Sequence, residues 1–234
     1  MSAEFIGTGL LVTVIIGSGI AAQRLSPDDI GLQLLENSIA TALGLTVLIL
    51  MFAPVSGAHL NPLISAADWL LGRRSGTGIS LADVGAYVLA QCAGGICGAV
   101  LANAMFDIGT RISTKDRTTP GHLLAEVVAT AGLIVLIFAL ARTGRGALTA
   151  AAVGGYIGAA FWFTSSTSFA NPAITVGRMF SDTFAGIAPT SAPGFVGMQV
   201  IGTAVGLALL VLFYPRVGRT TDDVVIAHNN RQLS

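Results

Sequence analysis

Charged side chains are scarce in this 234-residue chain: Asp, Glu, Lys and Arg together make up 10% of it, and their formal charges cancel at pH 7. Hydrophobic residues reach 53%, and the mean hydropathy is +0.77. This composition excludes a disordered chain and is typical of a protein that folds inside a lipid bilayer. No basic patch is interleaved with aromatic residues, so we expect no binding to nucleic acid.

Cysteine and catalytic motifs are scarce as well. The two cysteines, Cys92 and Cys97, lie in one apolar segment, and no CxxC pair or Cys/His cluster accompanies them. We therefore interpret them as small packing residues and expect no disulfide, metal or cofactor. The sequence contains no Gly-x-Ser-x-Gly, His-Glu-x-x-His or paired Asp, which argues against an enzyme acting inside the membrane.

Long apolar runs are abundant instead. Six of them reach the length of about 20 residues that a membrane-spanning helix needs. Two further runs, from Asn61 to about Leu71 and from Asn171 to about Asp182, are too short to cross, and we expect them to enter the membrane and return. The predicted fold is an all-α membrane protein with six transmembrane helices and two re-entrant half-helices. The spans are predicted near Glu4–Gln23, Gln33–Phe52, Leu81–Phe106, His122–Arg142, Ala147–Phe163 and Phe195–Tyr214.

An Asn-Pro pair opens both short runs. Asn is a preferred N-cap and Pro is favoured at the first helical position, so each pair predicts a helix start in the middle of apolar sequence. Two positive helix ends at the midplane would orient a passing oxygen atom and repel cations. The segments before them cannot be helical, and we expect their carbonyls to line a pore. The residues concerned are Gly57, Ala58, His59, Leu60, Asn61, Pro62 and Leu63 in the first copy, and Phe169, Ala170, Asn171, Pro172 and Ala173 in the second.

Other landmarks recur in the same order. Glu4 to Thr8 matches Glu126 to Thr130, and Tyr87 to Gln91 matches Phe195 to Gln199. With three spans in each half, an odd number, the second half enters the membrane from the opposite side, which predicts an inverted repeat. We expect one channel domain over 1–234, with repeats at 1–108 and 120–215 and a cytoplasmic tail at 216–234. The denser basic residues of one set of loops place both termini in the cytoplasm.

The run Ser56 to Pro62, the second Asn-Pro-Ala, the paired Glu-xxx-Thr segments, Tyr87 to Gln91 and Phe213-Tyr214-Pro215 resemble the aquaporin, or major intrinsic protein, family. The resemblance covers nearly the whole chain. It implies a homotetramer in a bacterial inner membrane, with one pore per subunit that passively conducts water or small neutral solutes.

The resemblance also assigns supporting roles. It implies that Glu4 and Glu126 accept backbone N–H bonds from the re-entrant loops, and the alternative is that both lie in interfacial water. His59 resembles the family's loop histidine, which flanks the pore on the cytoplasmic side.

The departures from the family pattern concern the selectivity filter. Ile174 occupies the position of the usual filter arginine, and Leu63 replaces an alanine, which would make the midplane bulkier. Counting along the chain places the other filter walls at Thr41, at Gly158 or Ala159, and at Ser168 or Phe169. These residues predict a wide, weakly polar filter, closer to glycerol- or metalloid-conducting members such as a subgroup linked to arsenic resistance. A strict water channel and an inverted-repeat secondary transporter are the alternatives.

Arg178 follows Ile174 by four residues, and residues at this spacing share a helix face. Two interpretations stay open. Arg178 is either a displaced filter charge, or it pairs with Asp182, a further four residues on, and anchors the loop at the surface.

Overall fold

A computed structural model describes residues 1–73 and 75–215, so the expected tail at 216–234 lies outside the described residues. Six helices are long and apolar enough to cross a membrane, and α3 and α7 are the short helices between them, which confirms the predicted all-α fold. The second short helix ends at Arg178, four residues before the predicted end. The helices are α1 Ser2–Leu25, α2 Ile30–Ser56, α3 Pro62–Gly72, α4 Leu81–Met105, α5 Pro120–Arg142, α6 Thr149–Phe163, α7 Pro172–Arg178 and α8 Ala192–Phe213, with a 3-10 turn at Gly146–Leu148 before α6.

The two half-helices begin where the Asn-Pro pairs predict. The Asn61 side chain accepts a hydrogen bond from the Leu63 N–H at 3.0 Å, and the Asn171 side chain accepts one from the Ala173 N–H at 2.9 Å. Both asparagines have an extended backbone, and a proline follows each at the first helical position. The N-cap bonds and the fixed proline φ explain why the chain becomes helical at these points.

The closest packing between helices repeats in the two halves. In the first half α1 packs against α4, where Gly94 faces the Phe5 carbonyl and Gly98 faces the Gly9 carbonyl without space for a Cβ atom. Small residues allow backbones in a membrane to approach this closely. The second half packs α5 against α8 through glycines at the matching positions: Gly202 faces the carbonyl of Val127, and Gly206 faces that of Ala131.

Helix α6 packs antiparallel to α2 and joins the two halves. Near the start of α2 the Trp162 Nε1–H donates to the Ser38 Oγ at 3.1 Å, and further along α2 Gly154 lies against Thr46. Residues later in α6 therefore contact residues earlier in α2, as expected for antiparallel helices. This contact fixes which face of α6 points to the centre of the molecule.

Candidate pore and filter

A buried glutamate holds the first re-entrant loop. Glu4 is fully buried, and its Oε1 accepts from the Ser56 hydroxyl at 2.6 Å and from the His59 N–H at 3.0 Å. Its Oε2 accepts from the Leu60 N–H at 2.7 Å and from the Gln91 amide at 2.7 Å. Four donors therefore surround one carboxylate, which satisfies a group that would otherwise be costly inside a membrane.

Glu126 makes the same set of bonds in the second half. Its Oε1 accepts from the Ser166 hydroxyl at 2.6 Å and from the Phe169 N–H at 2.9 Å. Its Oε2 accepts from the Ala170 N–H at 2.8 Å and from the Gln199 amide at 2.7 Å. Because Glu126 is also fully buried, the alternative that the two glutamates lie in interfacial water does not fit the structure.

The loops that the glutamates hold contain several residues with a left-handed backbone. Ala58 and Leu60 have φ values of 47° and 49°, and Ser168 and Ala170 have values of 50° and 48°. Left-handed conformations are unfavourable for residues with a Cβ atom, at about 1 kcal/mol or more each, so other contacts must hold them. The glutamate bonds to the N–H groups of His59 and Leu60, and of Phe169 and Ala170, supply such contacts.

Two reciprocal hydrogen bonds join the loops at the centre of the molecule. The Asn61 Nδ2 donates to the Ala170 carbonyl at 2.8 Å, and the Asn171 Nδ2 donates to the Leu60 carbonyl at 2.7 Å. Each of these two carbonyls therefore uses one of its two lone pairs within the protein. Each amide nitrogen carries two N–H groups, so one hydrogen on each asparagine is left for a solute.

A cavity of about 60 Å³ lies at this centre. It is lined by residues of both halves and by both asparagines. On α2 the lining residues are Thr41, Leu45 and Ile49, at the spacing of one helical turn. The predicted site residues that line the cavity are Thr41, Ala58, His59, Leu60, Asn61, Ser168, Phe169, Ala170, Asn171, Ile174 and Arg178.

The filter wall expected at Gly158 or Ala159 is wrong. Gly158 faces Ala42 on α2, and Ala159 is exposed on the outer surface of α6. Ile157 and Phe161 line the cavity instead. Counting back from the second Asn-Pro pair fails because α6 ends eight residues before Asn171, whereas α2 ends five residues before Asn61.

Leu63 does not narrow the pore as expected. It is buried, but the residues that line the cavity at this half-helix are Asn61 and Ile64. Successive residues of a helix are rotated by about 100°, so Leu63 lies off the face that lines the cavity. Pro62, Pro172 and Ala173 also lie outside the lining. Gly57, expected in the pore-lining loop, is the left-handed C-cap of α2 with a φ of 84°.

The alternative pairing of Arg178 with Asp182 is also wrong. Because α7 ends at Arg178, the spacing of four residues does not continue on a helix. The Asp182 carboxylate accepts from the Thr114 N–H at 2.9 Å. Arg178 is 2% exposed and lines the cavity, its guanidinium lies 3.5 Å from the centre of the Phe169 ring, and its Nε–H donates to the Ala185 carbonyl.

Two further cations lie near Arg178, and one of them, Arg117, also lies against the Phe169 ring. The Arg117 guanidinium lies 5.4 Å from the ring centre and donates to the Gly186 carbonyl at 2.7 Å, and burial lowers its pKa to about 10. The Lys115 amine donates to the Phe184 carbonyl at 3.0 Å. Burial and then the charges of Arg117 and Arg178 lower the Lys115 pKa to about 8. We call Lys115, Arg117 and Arg178 the basic cluster.

Several residues of the site were not predicted from the sequence, among them Phe161, Thr149 and Arg117. A signal for Thr149 is the inverted repeat itself, because Thr41, Leu45 and Ile49 on α2 match Thr149, Val153 and Ile157 on α6, each pair being 108 residues apart. No such signal exists for Arg117, since the loop that carries it connects the repeats. Cys92 and Cys97 are free cysteines, and their role in packing stays a prediction.

The fold and the cavity define a multi-pass membrane channel with re-entrant loops from two halves. The sequence profile of the major intrinsic protein family matches residues 1–168, and the chain belongs to this family. Its members are channels rather than enzymes.

Three comparisons with individual proteins agree. The chain is 47% identical to the aquaglyceroporin AqpS of Rhizobium meliloti over 209 residues, which cover 89% of this chain and 87% of that protein. It is 32% identical to the glycerol uptake facilitator protein of Pseudomonas aeruginosa over 169 residues, 62% of this chain and 57% of that protein. The X-ray structure of the aquaglyceroporin from Plasmodium falciparum shares the fold, with a TM-score of 0.65 at 21% identity, and the likeness covers 92% of this chain and 94% of that one.

Proposed function

We propose that this chain passively conducts small uncharged solutes larger than water, such as glycerol or neutral metalloid hydroxides, besides water itself. The observation that carries the proposal is the filter composition. Ile174 lines the cavity where the family pattern has arginine, and Thr41 adds a small side chain to the same lining. An aliphatic group in place of a fixed charge lowers the cost of admitting a less polar solute.

Phe161 limits how far the filter opens. It is 3% exposed and contributes a bulky wall where counting along the chain predicts a small residue. The extra space therefore depends on Thr41 and Ile174, with Ser168 and Phe169 as the remaining wall. The similarity to AqpS and to a glycerol uptake facilitator supports such a pore.

The buried carboxylates distinguish a channel from a secondary transporter. An ion-coupled carrier needs a titratable or ion-binding group whose partners change during transport. The oxygens of Glu4 and Glu126 all accept bonds from the loop and from a neighbouring glutamine, so these carboxylates serve the scaffold. Passive conduction is the mechanism that this arrangement favours.

The assembly and orientation are further parts of the proposal. We propose a homotetramer in a bacterial inner membrane with both termini in the cytoplasm. Many apolar side chains on the outer faces of α2 and α8 are exposed in the single chain, among them Leu43, Val47 and Leu212, which is what lipid contact or a subunit interface would require. The asymmetry of the basic loops supports the orientation.

The proposed solute range is tested by flux measurements in proteoliposomes. Stopped-flow light scattering with an impermeant sugar, glycerol, urea and arsenite should show water and at least one larger solute crossing without any imposed ion gradient. Replacing Ile174 by Arg should lower glycerol flux by about tenfold and water flux by less than about threefold, because a charged, bulky group both narrows and polarises the filter.

The matched control is Ile174→Val, which keeps an aliphatic wall and should leave both fluxes near those of the wild type. Equal losses of water and glycerol flux in Ile174→Arg would contradict the proposal. So would a wild-type channel that passes water alone.

A further inference from the structure

The cavity contains hydroxyl groups that have no hydrogen-bond partner among the described residues. Thr41, Thr149 and Ser168 each line the cavity, and each has a buried side-chain oxygen without a hydrogen-bond partner. A buried hydroxyl without a partner costs free energy. When such a hydroxyl belongs to a residue that lines a channel, it can form a hydrogen bond with a passing solute. Thr41 and Ser168 belong to the filter already described, and Thr149 does not.

Thr149 lies at the other end of the cavity from the filter. Gly154 is level with Thr46 and Trp162 is level with Ser38, so the start of α6 lies beside the later part of α2. Ile49 follows Thr41 by eight residues, which is about 12 Å along the helix at 1.5 Å per residue. Thr149 is therefore about that far along the cavity from Thr41.

The inverted repeat relates the two threonines. Thr149 follows Thr41 by 108 residues, and the same separation relates Leu45 to Val153 and Ile49 to Ile157 on the lining faces of α2 and α6. The position that forms one filter wall in the first repeat thus has a threonine counterpart in the second. The repeat places that counterpart at the opposite opening.

A structural role does not account for the Thr149 hydroxyl. Helix α6 has Leu148 as its N-cap and no side-chain cap bond, so the hydroxyl does not cap the helix. Thr149 is 1% exposed, the lining residue on the next turn of α6 is the aliphatic Val153, and Ile49 and Ile137 are aliphatic lining residues of α2 and α5. A solute leaving the central asparagines along this wall passes aliphatic side chains before it reaches the hydroxyl.

From these observations we infer that Thr149 forms a second solute-contact position, at the opposite end from the filter, and that it hydrogen-bonds the hydroxyl groups of uncharged solutes. The inference rests on the proposed function and adds a specificity-determining residue to it. A threonine hydroxyl donates one hydrogen bond and accepts others, which suits an alcohol or an inorganic hydroxide equally well. Water depends less on the wall, because water molecules in file bond to one another.

The test compares Thr149→Val with Thr130→Val. Valine has the shape of threonine without the hydroxyl. Thr130 is a suitable control because its hydroxyl is likewise buried and unpartnered but lies outside the cavity lining. In proteoliposomes, Thr149→Val should lower glycerol flux about fivefold, the effect of one lost hydrogen bond, and water flux less than about twofold. Thr149→Ser should keep the wild-type glycerol flux.

Fluxes are normalised to the amount of folded protein in the vesicles and read together with the thermal unfolding midpoint, so that a poorly folded variant is not counted as a blocked one. Glycerol flux through Thr149→Val that equals the flux through Thr130→Val would overturn the inference while leaving the proposed function intact. A wild-type channel impermeable to glycerol would overturn the proposed function and the inference with it.

Discussion

The two repeats are nearly identical where they hold the backbone and different where they meet the solute. Glu4 and Glu126 accept equivalent bonds, all between 2.6 and 3.0 Å. Between the left-handed loop residues, however, the first repeat has His59 and the second has Phe169. His59 packs edge-on against Tyr87 at 5.3 Å, and Phe169 packs edge-on against Phe195 at 5.0 Å. The ring position is kept while its chemistry has changed.

A second difference concerns charge. Asp68 on α3 and Arg178 on α7 occupy the same position, seven residues after their asparagines. The Asp68 carboxylate accepts from the Ile79 N–H at 2.9 Å outside the cavity lining, whereas Arg178 lines the cavity. The comparison shows that a common scaffold fixes where side chains stand, and that substitutions on it make the two ends of one pore chemically unlike.

The largest effect is expected from breaking the part that the repeats share. Replacing Glu126 by Gln puts an NH₂ group where a carboxylate oxygen now accepts hydrogen bonds, so donors face donors. We expect this change to lower the free energy of unfolding by about 2 to 4 kcal/mol. Glu4→Gln should cost about the same, because its bonds are equivalent. Unfolding in mixed detergent micelles would measure both, with Glu36→Gln as a control outside the two loops. A strongly unequal cost would mean that the two scaffolds are not energetically alike.

An intermediate effect is expected at Arg178, where the repeats differ in charge. We propose that this arginine is the displaced cation of the filter. Arg178→Gln should raise proton or sodium leak about tenfold under an imposed potential, while neutral-solute flux changes less than about twofold, because a fixed charge in a poorly screened vestibule repels cations.

Two variants serve as controls for the leak measurement. Arg178→Lys keeps the charge and should keep the wild-type leak. Arg111→Gln removes an exposed cation that does not line the cavity and should have no effect. If leak stays at the wild-type level in Arg178→Gln, cation exclusion belongs to the half-helix ends alone.

The smallest effect is expected at Lys115, which has no counterpart in the other repeat and is the only lysine in the chain. Its pKa is lowered to about 8, so the amine loses its proton as pH rises through 8 instead of through about 10.4. Acylation of Lys115, followed by peptide mapping, should show a reactivity midpoint near pH 8. Because Arg178 contributes to the lowering, Arg178→Gln should move the midpoint upward. A midpoint near 10 in the wild type would contradict the close packing of the basic cluster.

The fold could be predicted well from the sequence because the relevant signals are local. Asn61 and Asn171 accept hydrogen bonds from the N–H groups two or three residues ahead, and hydropathy marks each span.

The filter was harder to predict because its walls come from separate elements. The wall on α6 was misplaced because the connection to Asn171 is longer than the one to Asn61. Arg117 is positioned by carbonyls of residues 184 and 186, far along the chain, and no local pattern indicates such a contact.

The reciprocal bonds between Asn61 and Ala170 and between Asn171 and Leu60 have a consequence for biogenesis. Their partners are separated by 109 and 111 residues. At about 5 to 20 residues per second, the ribosome needs roughly 6 to 20 seconds to make the second partner after the first. Until then the amide of Asn61 and the carbonyl of Leu60 lack these hydrogen-bond partners, and the hydrocarbon core of the membrane offers few others. The contacts of the first half at the centre of the molecule therefore stay incomplete until the chain around Asn171 has been made.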